Sequence, residues 1–264
     1  MNQEEKTKLN EQLISAADNG QIELIKSLIQ QGVDIHLKDD SVLRFSAEKG
    51  YLEIVKYLVK CGANIHAKDD CALRWAAENG HLEVVKYLIE KGADLHASDD
   101  YALRLSAEKG HLKVVQYLIE RGADIHFDNN YVFKIAALNG QLEIIQYFIK
   151  NGISIHDEDD YALKISSEYG YLDMVKYLVK NGADIHANND AAFKLASIKK
   201  KIEVITYFLF EANFKIEKET KDWLIKNDQK ETLEFIKKRD LLLRLDKDII
   251  QKDSIDNFSN KIKI

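Results

Sequence analysis

The chain has no proline, and only two of its 264 residues are cysteine, Cys61 and Cys71. Two cysteines do not make the disulfide framework that staples a small secreted domain. No apolar run approaches the roughly 20 residues needed to span a bilayer, and Met1 to Asn10 carries no apolar signal segment. A basic excess is missing too, since 38 Lys and Arg face 44 Asp and Glu, for a net charge of -6 spread along the chain. Binding a phosphate backbone requires that excess. These absences exclude a disulfide scaffold and a membrane span, leave nucleic acid unexpected as a partner, and point to a reducing, cytoplasmic setting. The lack of proline, beside abundant Ile, Lys, Asn and Tyr, matches an AT-rich coding sequence.

What is present is a core and a period. Hydrophobic residues make up 45% and charged residues 31%, too apolar a mixture for disorder. All twelve glycines fall at two phases of a 30-residue register. One series runs Gly20, Gly50, Gly80, Gly110, Gly140, Gly170, and the other Gly32, Gly62, Gly92, Gly122, Gly152, Gly182. His36, His66, His96, His126, His156 and His186 keep the same period, each four residues after a glycine of the second series.

The unit from Asp70 to Asp99 shows the physics. Asp70 is expected to cap a short helix whose apolar face holds Leu73, Ala76 and Ala77. Gly80 ends that helix, because a left-handed closing residue costs glycine no steric penalty. A second helix follows, with Leu82, Val85, Leu88 and Ile89 inward and Glu83, Lys86 and Glu90 in water. Gly92 closes it, and the alternation of Ala93 to Ala97 predicts a short extended connector with Leu95 inward. One such hairpin buries too little to stand alone, so neighbours must stack.

The segment GHLEVVKYLIEKGADLHA, Gly80 to Ala97, resembles the second helix and exit of an ankyrin repeat, and the likeness recurs from about Leu13 to Phe214. The first helix departs from the family's Thr-Pro-Leu-His-x-Ala, reading CALRWA at Cys71, YALRLS at Tyr101 and YALKIS at Tyr161. Each unit is also three residues shorter than the usual 33. The units are similar to those of ankyrin proteins encoded by giant viruses of amoebae. The resemblance implies an all-α, ankyrin-type helical solenoid of paired antiparallel helices with shortened inter-repeat loops. It is expected to occupy residues 1–240, as seven repeats and an eroded eighth, with Trp223 in phase with Trp75 and Phe235 with Tyr87. Residues 241–264 are expected to form a capping helix through Leu242, Leu245, Ile249 and Ile250, then a polar, frayed tail.

The candidate chemistry is sparse. The histidine row suggests metal, but stacked helices sit roughly 8–10 Å apart and zinc ligands about 2 Å from their ion. The reading is a polar group that fixes the connector, with a pH-sensitive surface as the alternative. Arg44, Arg74, Arg104, Lys134, Lys164 and Lys194 each follow an acid or amide by four residues, a spacing expected to pair charges on a helix face. His81 and His111 belong to the Gly-His-Leu-Glu turn. No nucleophile stands in a catalytic motif and no glycine is free for a phosphate loop, so no enzyme activity, cofactor or small-molecule substrate is expected.

The family resemblance implies binding of a partner protein along the concave groove, by a monomer. The residues it places there are Tyr101, Tyr131 and Tyr161 before the first helices, and Lys109, Leu138, Asn139 and Tyr169 at their ends. Whether the three tyrosines face a partner or pack between repeats is open from sequence; Leu138 and Tyr169 stand where the repeat prefers polar residues. A second implied role is an adaptor delivering the bound protein to host ubiquitin machinery, although the segment after Arg239 lacks a proline-initiated F-box pattern.

Overall fold

The computed structural model describes the backbone of residues 3–212 and 214–261, and the side chains of residues 4–212 and 214–245. Among the described residues there are sixteen α-helices and no strands. They form two compact units, Met1–Ile153 and Ser154–Ile264.

The first unit holds five helix pairs: α1 (Gln3–Asp18) with α2 (Ile22–Gln30), α3 (Leu37–Glu48) with α4 (Leu52–Lys60), α5 (Ala67–Glu78) with α6 (Leu82–Glu90), α7 (Ala97–Glu108) with α8 (Leu112–Glu120), and α9 (Phe127–Leu138) with α10 (Leu142–Lys150). First helices pack on first helices, α1 on α3, α3 on α5, α5 on α7 and α7 on α9, and second helices pack alongside in a parallel row. Small residues in adjacent pairs allow the close approach. Ala16 and Ala17, Ser46 and Ala47, Ala76 and Ala77, and Ala136 and Ala137 are fully buried. Ser46 Oγ donates to Val42 O within its own helix, 2.7 Å away, so the hydroxyl reaches the core with its donor satisfied. On the second helices the inward set is Val84, Val85 and Leu88, with Leu82 and Ile89 only half-buried. Val85 and Leu88 thus face inward as expected, Val84 joins them, and Leu82 and Ile89 lie at the margin of the stripe.

The second unit holds α11 (Asp157–Tyr169) with α12 (Leu172–Lys180), α13 (Ala187–Ile198) with α14 (Ile202–Phe210), and α15 (Lys218–Lys226) with the start of α16 (Lys230–Lys261). Ala212 stands where α14 needs its closing glycine, and the chain turns otherwise. Phe214 is buried, its ring 4.6 Å from Phe193 and 4.9 Å from His186. The eighth pair slips two residues from the 30-residue register: Leu224 and Ile236 are buried 28 residues after Ala196 and Phe208, and Trp223 and Phe235 stand two residues ahead of the phase expected from Trp75 and Tyr87. Lys194 lies over Trp223 at 5.6 Å, as Arg44 lies over Trp75 in the first unit at 5.5 Å. Helix α16 runs through the boundary expected at 240/241, with Leu242 and Leu245 exposed. The side chains of Ile249 and Ile250, and the tail residues 262–264, lie outside the described residues.

Both predicted turns close as the glycines require. Gly80 (φ 76°) donates to Ala77 O while His81 N–H reaches Ala76 O, and Gly92 (φ 98°) donates to Ile89 O while Ala93 N–H reaches Leu88 O. Both are Schellman closures.

Candidate interaction surface

The connector between units is built differently from the extended segment expected. Asp94 Oδ1 accepts from His96 N–H at 2.9 Å and Asp94 O from Ala97 N–H at 3.2 Å. An aspartate that bonds its own backbone two residues on makes a turn in place of a strand. Three consecutive left-handed residues then follow, just inside the start of α3, α5, α7, α9, α11 and α13: Lys38 to Asp40, Lys68 to Asp70, Ser98 to Asp100, Asp128 to Asn130, Glu158 to Asp160 and Asn188 to Asp190. Their φ values lie between 47° and 61°. All but Lys38, Lys68, Ser98 and Glu158 are Asp or Asn, the non-glycine residues that tolerate this region best. The repeated Asp-Asp and Asn-Asn dipeptides were the sequence signal for this turn.

Asp70 sits at the end of its left-handed turn and does not cap α5. Its carboxylate is buried, accepting from His66 Nδ1 at 3.1 Å and from the backbone N–H of Asp94, in the following repeat, at 3.0 Å. Asp40 does the same with His36 and Asn64, and Asp160 with His156 and Asp184. The carboxylate can only accept, so Nδ1 carries the proton. Each histidine thus orients an aspartate that ties one repeat to the next. His126 takes the amide oxygen of Asn130 instead, at 2.9 Å. Among the described residues no three His, Cys, Asp or Glu come together as metal ligands.

The basic row also departs from the expected pairing. Arg74 Nε donates to Asp69 O at 2.9 Å and Nη2 to Lys68 O at 2.6 Å; Arg44 binds Asp39 O and Lys38 O likewise. Lys164 and Lys194 reach Glu158 O and Asn189 O. The acids four residues back are turned into the inter-repeat ties, so the cations serve carbonyls that the left-handed turn leaves open. The arginines also lie over tyrosine rings of their own or the next repeat. Arg74 is 5.5 Å from the Tyr101 ring, and Arg104 is 4.7 Å from Tyr101 and 5.6 Å from Tyr131.

Among the residues expected to face a partner, the first unit joins Tyr101 and Tyr131 through Arg104. Tyr101 is half-buried between two guanidiniums, and Tyr131 keeps 38% of its surface exposed. At the other end of these first helices, Leu138 is half-buried and Asn139 is exposed, its amide donating to Ile135 O. Lys109 is exposed, its Nζ 2.9 Å from Glu108, whose carboxylate raises the lysine pKa. In the second unit Tyr161 is half-buried at the start of α11, while Tyr169 is 47% exposed at its end and stacked on Tyr171 at 5.9 Å. Both cysteines are free; Cys61 is exposed and Cys71 buried, where burial pushes its thiol pKa up.

His81 and His111 act across the stack. His111 Nε2 lies 2.8 Å from Glu78 O, and His81 Nε2 the same distance from Glu48 O. A carbonyl only accepts, so the histidine donates and satisfies an otherwise open group at the end of the preceding repeat's first helix. Gln141 replaces this donor over Glu108 O at 2.9 Å.

No helix among the described residues is long and apolar enough to cross a membrane. No curated protein matches the chain. A family model described as ankyrin repeats (3 copies) matches at residues 13–99, 43–130, 103–189 and 133–222. These overlapping matches span the same helix pairs, glycine-closed turns and inter-repeat ties described above, and the chain belongs to the ankyrin repeat family.

Proposed function

We propose that this chain is a non-enzymatic scaffold that binds a partner protein along the concave groove lined by its first helices. Ankyrin repeats as a class mediate protein–protein interaction, which supports the reading. The observation that carries it is the exposure of Tyr131 and Tyr169, at 38% and 47%, in repeats whose other large side chains on the first helices are mostly covered. A half-exposed tyrosine held by neighbours gives a partner a large rigid ring and a hydroxyl at little entropic cost. A stack already ordered before binding adds to that saving. In the first unit Tyr101, Leu138, Lys109 and Asn139 join Tyr131 among the proposed contacts, and in the second Tyr161 joins Tyr169. The free thiols of Cys61 and Cys71 suit a reducing cytoplasm, and the protein acts as a monomer.

The test is a triple variant, Tyr131→Ala, Leu138→Ala and Tyr169→Ala, checked for an unchanged helical spectrum and melting point. Affinity for a partner recovered with the native chain should fall by tenfold or more, since truncated anchors of this kind cost about 2 kcal/mol each. Retained affinity in a folded triple variant would place the binding face elsewhere.

A further inference from the structure

The guanidiniums of the first unit are held rigid yet lack a counter-charge. No carboxylate lies within 4.0 Å of Arg44, Arg74 or Arg104 among the described residues, in a chain whose net charge is -6. Arg74 spends Nε and Nη2 on carbonyls of its own turn, and Arg104 spends Nη2 on Ser98 O at 3.3 Å. Arg104 Nε is buried without a hydrogen-bond partner. The remaining nitrogen, Nη1, makes no hydrogen bond within the protein in either residue, and neither Nη1 is among the buried unpartnered atoms. Of the acids one turn further on, Glu108 holds Lys109 and Glu48 lies 3.9 Å from Lys49, while Glu78, which follows Arg74, is in no ion pair within 4.0 Å among the described residues. The row therefore presents fixed cationic edges whose orientation costs nothing further on binding.

The spacing of those edges limits what they read. Arg74 and Arg104 are 5.5 and 4.7 Å from the one ring of Tyr101, so their centres lie no more than about 10 Å apart, the spacing of packed helices. In a polyproline II segment every third residue returns to the same side after about 9 Å. A β-strand advances about as far in three residues but alternates faces, turning the third side chain away.

We propose, resting on the protein-binding reading above, that the partner segment is an extended, polyproline-type peptide with an acidic side chain at every third residue. Its carboxylates meet the Nη1 edges of Arg74 and Arg104, and the residues between them run past the edges of Tyr101 and Tyr131.

The probes are fluorescein-labelled (Glu-Pro-Pro)4, its neutral counterpart (Gln-Pro-Pro)4, and (Glu-Pro)6, whose carboxylates recur every second residue, titrated with the full chain by anisotropy. The first is expected to bind at least tenfold tighter than either control, and more weakly as salt rises. Arg74→Gln and Arg104→Gln should each weaken it fivefold or more. Arg74→Lys keeps the charge without the fork and should weaken it too, which separates edge recognition from net charge. Melting curves accompany each variant, and the peptide comparison on the native chain stands even if a variant misfolds. Equal binding of the three peptides, unaltered binding by folded arginine variants, tighter binding of a helical peptide with Glu at every seventh residue, or equal binding of oligo-dT overturns the proposal. Loss of a captured partner on Tyr131 and Leu138 truncation, with none on arginine substitution, sinks this inference and leaves the protein-binding reading standing.

Discussion

The two turns of each repeat share a backbone conformation and differ in what covers them. At the turn between the paired helices, Gly80 (φ 76°) lies under the ring of His111, and a Cβ there would meet Nδ1 at 2.5 Å. At the turn after the second helix, Gly92 (φ 98°) has nothing within 4 Å of that same added atom. The pattern repeats, with His81 over Gly50, and Gly62 and Gly122 open. Glycine at the outer turn answers only to its own φ. At the inner turn it also makes room for a donor from the next repeat, so one residue type meets a local demand in one place and a local and a tertiary demand in the other.

That contrast is open to direct attack. Gly80→Ala combines left-handed strain with displacement of a ring, and should cost about 2–4 kcal/mol in urea unfolding, whereas Gly92→Ala should cost about 1 kcal/mol. Equal losses at the two sites would mean that the covering ring moves freely. A sharper form removes the ring. His111→Ala should itself cost about 1 kcal/mol for the lost bond to Glu78 O. In that background Gly80→Ala should become no worse than Gly92→Ala, a coupling of about 1–2 kcal/mol in a double-mutant cycle. Additive losses would refute the steric account. The smallest effect concerns the repeat that breaks the rule. Lys200 occupies the inner-turn position at φ 54° with the same closing hydrogen bonds, so Lys200→Gly should stabilise the chain by about 0.5–1 kcal/mol. A loss of stability would show that the lysine side chain contributes more than its backbone strain costs.

Much of the fold was legible because it depends on rules that act within one repeat. The glycine phases marked both helix ends, and Leu13, Ala16 and Ala17 were read as core and are fully buried. The misread side-chain partnerships involve a second repeat, whereas the connector was misread on its own local turn, closed by Asp94 onto His96. Asp70 looks like a helix cap from its own neighbourhood, and only the N–H of Asp94 shows what its carboxylate holds. Arg74 looks like a partner for Asp70, until that carboxylate is committed elsewhere and the left-handed turn offers carbonyls instead. The tyrosine row was ambiguous for the same reason, since the ring of Tyr101 is covered by arginines from two successive repeats.

Sequence by itself determined the helix pairs, their closures and the period, because helix propensity, apolar phase and the need for positive φ are properties of short stretches of chain. Tertiary structure alone decided where the charges go. A polar group takes whichever donor or acceptor lies within about 3 Å: the Asp70 carboxylate finds one 24 positions away and the His111 ring one 33 positions away, which leaves Arg74 to the carbonyls five and six residues back.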